Sequence, residues 1–106
     1  MTSPSRSAPL FAALGDPHRL RIVGHLSHSG PQSVSRLTEG SGISRQAISK
    51  HVGILERAGV VHSSRRGRER LLELESLRLL EARRFLTVVS AQWDGALQRL
   101  RRLVEE

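Results

Sequence analysis

The sequence predicts a mainly α-helical fold with a small β-hairpin, on three observations. Apolar residues recur at spacings of three and four from Leu10 to Leu55, the marker of amphipathic helices. The period then drops to two in "VVHSS" and "ERLLEL", which flank the turn sequence "RRGR". From Leu77 to Val104 the helical period returns without interruption. At 106 residues the chain fits one domain with a single modest core, small enough that an oligomer would usefully bury more surface.

Each element follows from local chemistry. Residues 1–7 are small and polar, without apolar periodicity, and are expected to form a mobile N-terminal arm. A first helix over residues 8–15 carries Leu10, Phe11 and Leu14 on one face and is stopped by Gly15. Asp16 and Pro17 are an N-cap and first-position pair, opening a second helix whose stripe of Leu20, Val23 and Leu26 runs to the break at Gly30 and Pro31. Ser33 can cap a short third helix holding Val34 and Leu37, which ends in the turn "EGSG". Ser44 caps the fourth, where Ile48, Val52 and Leu55 form the buried side and Gly59 suits a left-handed C-terminal residue. Gly67 suits the positive φ of a hairpin turn between two short strands. The last helix, residues 77–104, would be roughly 40 Å long, more than a domain of this size covers with its own surface. Residues 8–106 therefore read as one domain, with helices 8–15 and 77–104 available for dimerisation.

Charge narrows the function. Seventeen Lys and Arg against ten Asp and Glu leave a net charge of +7, which points to a polyanionic partner. Lys50 is the only lysine, and the planar fork of arginine suits phosphate and guanine better than it suits plain solubility. The absence of cysteine removes disulfides, thiolate metal sites and cysteine nucleophiles. No Ser/His/Asp grouping, phosphate-cradling glycine loop or convergent carboxylate pair argues for an enzyme, and no cofactor is implied. "MTSPSRSAP" lacks the apolar core of a signal peptide and no run is long enough to span a bilayer, so a cytoplasmic protein without a membrane partner is expected.

The third and fourth helices, joined by a glycine turn and followed by a basic hairpin, make a winged helix-turn-helix. On the fourth, Arg45, Gln46, Ser49, Lys50 and Gly53 fall away from Ile48, Val52 and Leu55, where they would meet base edges and phosphates in a major groove. Ser44 at the helix start completes that side, and His51 on its flank suits either a structural role or a phosphate contact. Arg65, Arg66, Arg68 and Arg70 share the hairpin with the lone acid Glu69 and suit a phosphate or the adjacent minor groove. A merely soluble turn would more often mix the signs of charge. The aromatics are Phe11, Phe85 and Trp93, none of them in the hairpin, so double-stranded DNA is a better partner than stacked single strands. The competing function is a winged-helix module that docks a protein through the same basic face.

With those residues placed, the stretches "LFAALGDPHRLRIVGHL", "LTEGSGISRQAISKHVGILERAGVV" and "RRGR" resemble the ArsR family of winged-helix repressors across most of the chain. The resemblance implies a homodimer joined by the first and last helices, bound to an inverted-repeat operator and blocking transcription until a signal releases it. The stripes Leu10, Phe11, Leu14 and Leu86, Val89, Trp93, Leu97, Leu100 are the expected interface. The chain departs from the metal-sensing members: the place of their Cys-x-Cys pair resembles Ser33, Val34 and Ser35, and no histidine follows His62. Serine hydroxyls are poor ligands for such metals, and His25 with His28 makes an incomplete site, so no metal is expected and any effector is unknown.

Overall fold

In the computed structural model, which describes residues 4–105, the three central helices each open on an oxygen-bearing cap. Asp16 accepts from the backbone N–H groups of His18 and Arg19 at the start of α2 (Pro17–Ser29). Ser33 accepts from Arg36 at the start of α3 (Val34–Thr38), and Ser44 from Ala47 at the start of α4 (Arg45–Arg57). These bonds satisfy amide donors that have no partner inside the helix, and each typically stabilises by about 1 kcal/mol.

The hairpin pairs β2 (Val61–Arg66) with β3 (Glu69–Leu74), its last rung being Arg66 opposite Glu69. Gly67 takes φ 60° at the tip, as expected of a tight turn. A further strand, β1 (Gln32–Ser33), pairs antiparallel with the other side of β3 to give the order β1-β3-β2. Two residues are too few to show any alternation, so periodicity could not reveal it.

The core gathers one stripe from every helix around Leu72 of β3. Leu10, Ile48, Val52, Leu55, Val60 and Leu72 are among the most deeply buried, with Ile22 and Leu26 of α2 and Val34 and Leu37 of α3 closing the sides. Leu20 is a correction: it is 54% exposed, while Ile22 is buried. Two positions along a helix amount to about 200° of rotation, so both cannot face the core.

The N-terminal region also differs from the expectation. Helix α1 spans Pro4–Leu14, so residues 4–7 are helical and the expected arm is corrected there; its residues 1–3 lie outside the described residues. Proline suits a first helical turn because its missing N–H would have no partner in any case. Ser7 is buried at the position three before Leu10. Arg6 makes a two-pronged pair with Glu81, Nε to Oε2 at 2.9 Å and Nη2 to Oε1 at 3.0 Å. Nothing in the spacing of residues 1–7 encodes a partner 75 positions away.

Helix α5 (Ser76–Glu105) runs for 30 residues, about 45 Å at 1.5 Å per residue, within a molecule 66 Å in its longest extent. Its first turns pack on the core through Ala82, and Phe85 lies against Phe11 of α1 with ring centroids 5.5 Å apart. Beyond them Leu86, Trp93, Leu97 and Leu100 are exposed and Val89 is half-buried. Leu10 is a second correction: with 0% exposure it belongs to the chain's own core and has no surface left to give a partner, whereas Phe11 and Leu14 are half-buried. No helix among the described residues is long and apolar enough to cross a membrane.

Candidate nucleic-acid interface

Helices α3 and α4 are held at a fixed angle by the turn between them. Gly42 takes φ 77°, a conformation side chains resist. Ser41 donates its hydroxyl to the Thr38 carbonyl at 2.8 Å and accepts from the Ile43 N–H at 3.3 Å. With Ile48, Val52 and Leu55 buried, the rotation of α4 about its own axis is settled by packing.

That rotation turns Gln46 and Lys50 outwards, both exposed, and leaves Arg45 exposed near the start of the helix. Ser49 is half-buried on its flank. Ser44 is exposed; its Oγ accepts from the Ala47 N–H, which leaves its hydroxyl hydrogen and one lone pair for a ligand. Arg57 was missed from sequence. It is exposed, lies seven positions after Lys50 and so on the same face, and its Nη1 would stand 3.4 Å from a Cβ added at Gly53. The gap left by Gly53 is thus partly filled by an arginine that extends the basic face to the helix end. The spacing Gln46, Lys50, Gly53, Arg57 was the signal available.

The wing divides its four arginines. Arg65, Arg66 and Arg68 are exposed. Arg70 is not free: it pairs with Glu56 of α4, and Ser63 donates to the other carboxylate oxygen at 3.4 Å. Arg65 and Arg70 are register partners, two like charges side by side, and Glu56 offsets one of them. Arg70 and Glu56 therefore tie the wing to α4 one rung before its last pair, while Arg65, Arg66 and Arg68 carry the exposed charge.

His51 is likewise drawn inwards. Its side chain is 19% exposed, its ring lies 5.4 Å from that of His18, and its Nδ1 is 3.2 Å from Nη1 of Arg19. A guanidinium can only donate, so a hydrogen bond at that contact runs from Arg19 to the imidazole. Asp16 Oδ2 is 3.8 Å from the same Nδ1 and takes no part in that bond. His51 braces α4 against the start of α2 and does not extend the outward face.

The Asp16 carboxyl is held below its usual range, first by the N–H of Arg19, then by that of His18 and the nearby charges, against a smaller opposing effect of burial. A depressed carboxylate gives stability that is complete above its unfolded value, about 3.9, and is lost as pH falls through the lower folded value. Asp16→Asn keeps a capping oxygen without that titration. Its melting temperature is therefore expected to change less than that of the wild type between pH 6 and pH 3. Parallel acid-induced declines in a thermal melt series would show that the Asp16 charge contributes nothing.

His25 and His28 are exposed on α2. Among the described residues no group of three or more His, Cys, Asp or Glu could hold a metal ion. Arg45, Lys50 and Arg57 on the helix and Arg65, Arg66 and Arg68 on the wing are exposed cations, joined on the helix by the exposed amide of Gln46, with Glu69 as the exposed acid of the tip. Such an arrangement suits a phosphate-lined groove: charge for the backbone, an amide for a base edge.

Comparison with known proteins agrees with this geometry. Residues 14–64 match the family described as Helix-turn-helix domain. The chain is 41% identical over 69 residues to an uncharacterized HTH-type transcriptional regulator, YuzN, of Bacillus subtilis, covering 59% of this chain and 75% of that one. It is 32% identical over 103 residues to the HTH-type transcriptional regulator Rv2034 of Mycobacterium tuberculosis, covering 97% and 90% respectively. A solved ArsR-like transcriptional regulator from Rhodococcus sp. RHA1 superposes with a TM-score of 0.75 at 34% identity, over 93% of this chain and 92% of that one.

Proposed function

The chain belongs to the ArsR family of winged helix-turn-helix transcriptional regulators, and from that membership we propose that it is a DNA-binding homodimer that represses transcription from an inverted-repeat operator. The observation that carries the reading is the two-sided α4: one face locked into the core by Ile48, Val52 and Leu55, the other presenting Gln46, Lys50 and Arg57 without an internal partner. In this reading Gln46 and Ser49 read bases. Arg45, Lys50 and Arg57 divide between bases and backbone, and Arg65, Arg66 and Arg68 grip phosphates beside the groove. Helices α1 and α5 join two chains into one domain pair, through Phe11, Leu14 and the exposed stripe from Leu86 to Leu100.

The test is selection of bound duplexes from random sequence, followed by Gln46→Ala on the tightest of them. A lost base contact costs about 1 to 3 kcal/mol at the preferred site, roughly ten- to a hundredfold in affinity, and leaves binding to random duplex nearly unchanged. Equal losses on both would show that Gln46 only positions the helix. Recovery of no preferred duplex, together with retention of a stoichiometric protein partner, would overturn the reading.

A further inference from the structure

Arg78 is a largely enclosed charged side chain, with 18% of it exposed. Its guanidinium reaches two other elements and its own helix. Nε donates to the Ala58 carbonyl at 3.1 Å, at the C-terminal end of α4. Nη2 donates to the Arg6 carbonyl of α1 at 3.0 Å, and Nη1 to Glu81 of its own helix at 2.9 Å. Glu81 in turn receives Arg6, which closes a ring of α1, α5 and the end of the recognition helix. The carbonyls at a helix end have no intrahelical partner and carry partial negative charge, so a buried cation there is held by both hydrogen bonding and the helix dipole. The stem of the same side chain lies 3.9 Å from where a Cβ at Gly59 would stand, against the chain reversal that leads into β2.

This contact fixes an angle. Helix α4 is 13 residues long, about 20 Å, so a swing of about 5° about its C-terminal end moves its DNA-facing start by about 2 Å. Hydrogen bonds to base edges tolerate only about 0.5 Å of distance. We propose that Arg78 is a positioning residue, setting the angle of α4 to the helix pair α1 and α5 and thereby the separation of the two recognition helices on DNA. The proposal rests on the dimeric, inverted-repeat reading above.

The experiment uses the whole chain and three probes: the palindromic duplex selected from random sequence, its isolated half-site, and palindromes whose half-sites are one base pair closer or further apart. Arg78→Met keeps the stem and loses every donor. It is expected to bind the selected palindrome about tenfold more weakly and the half-site as the wild type does. Its preference among spacings should flatten, with sedimentation still reporting a dimer. Glu81→Gln weakens the same ring without touching the Ala58 contact and is expected to act in the same direction by about threefold; it decides the matter should Arg78→Met not fold. Equal loss on palindrome and half-site, or wild-type spacing preference in both folded variants, overturns the assignment. A wild type that binds the palindrome no better than the half-site overturns the dimeric reading beneath it, and that outcome is seen before any substitution is made.

Discussion

Replacing Arg65, Arg66 and Arg68 together with alanine is expected to weaken binding to any duplex on the order of several hundredfold at about 0.1 M salt and to flatten the salt dependence by about 2.7. Each phosphate contact contributes about 0.9 to the slope of log affinity against log salt, so three contribute about 2.7; extrapolated from about 1 M salt, this is between two and three decades. All three side chains are exposed, and among the described residues none makes an ion pair. Arg70 differs, because its charge is already offset by Glu56. The matched control is Arg83, Arg99 and Arg102 on α5, equally exposed and removing the same net charge. If the wing acts by local contact, only the wing triple flattens the slope. If both triples flatten it equally, the general positive field of the chain is responsible and the wing is not a contact surface. Titrations at four salt concentrations distinguish the two.

The parts of this fold that were legible in the sequence are those decided within a few residues. Asp16, Ser33 and Ser44 cap the helices they were expected to cap, because a side-chain oxygen two or three positions before an amide has a local reason to bond it. Gly67 sits at the hairpin tip because the turn itself demands positive φ. The buried face of α4 follows from period alone. What the sequence concealed depends on pairs distant along the chain. Arg6 and Glu81 are far apart in sequence, as are Arg78 and Ala58, and no spacing rule reports either. The same holds within the basic surface: composition places four arginines in the wing, but only the packing of α4 against β2 and β3 shows that Arg70 is engaged with Glu56 while its neighbours are free. The flank of α4 leaves His51 open to a structural role or a phosphate contact, and it is the guanidinium of Arg19, 32 positions away, that draws it towards α2. Leu10 was expected at an interface because its apolar character is the same in a core as in a dimer seam. Relative exposure distinguishes those uses, and sequence does not encode it directly.

Truncating Trp93 to alanine is expected to separate two chains that a monomer-only reading would leave unaffected. In the single chain Trp93 is 63% exposed, with Leu86 at 52%, Leu97 at 53% and Leu100 at 57%. Their spacings of seven, four and three put them on one face of α5, continuous with Ala82 where that face enters the core. A side chain so exposed in a true monomer touches little, and its loss would change stability by about 0.5 kcal/mol or less. In a symmetric pairing of α5 with its copy, each Trp93 would fill a closed site, and large-to-small replacement there costs about 3 to 5 kcal/mol. At 1.4 kcal/mol per decade, even the lower figure raises the dissociation constant more than a hundredfold. The two hypotheses thus differ by far more than experimental error. Sedimentation equilibrium at micromolar concentration should find a wild-type dimer and a Trp93→Ala monomer. The variant should bind a full inverted repeat with no more than half-site affinity although Gln46, Lys50 and the wing are unchanged. The link is geometric: two recognition helices reach successive major grooves, roughly 34 Å apart, only while the helices behind them remain joined. A wild-type chain that sediments as a folded monomer, or a Trp93→Ala dimer as tight as the parent, would remove the exposed stripe of α5 from the interface and require another explanation for so much uncovered apolar surface.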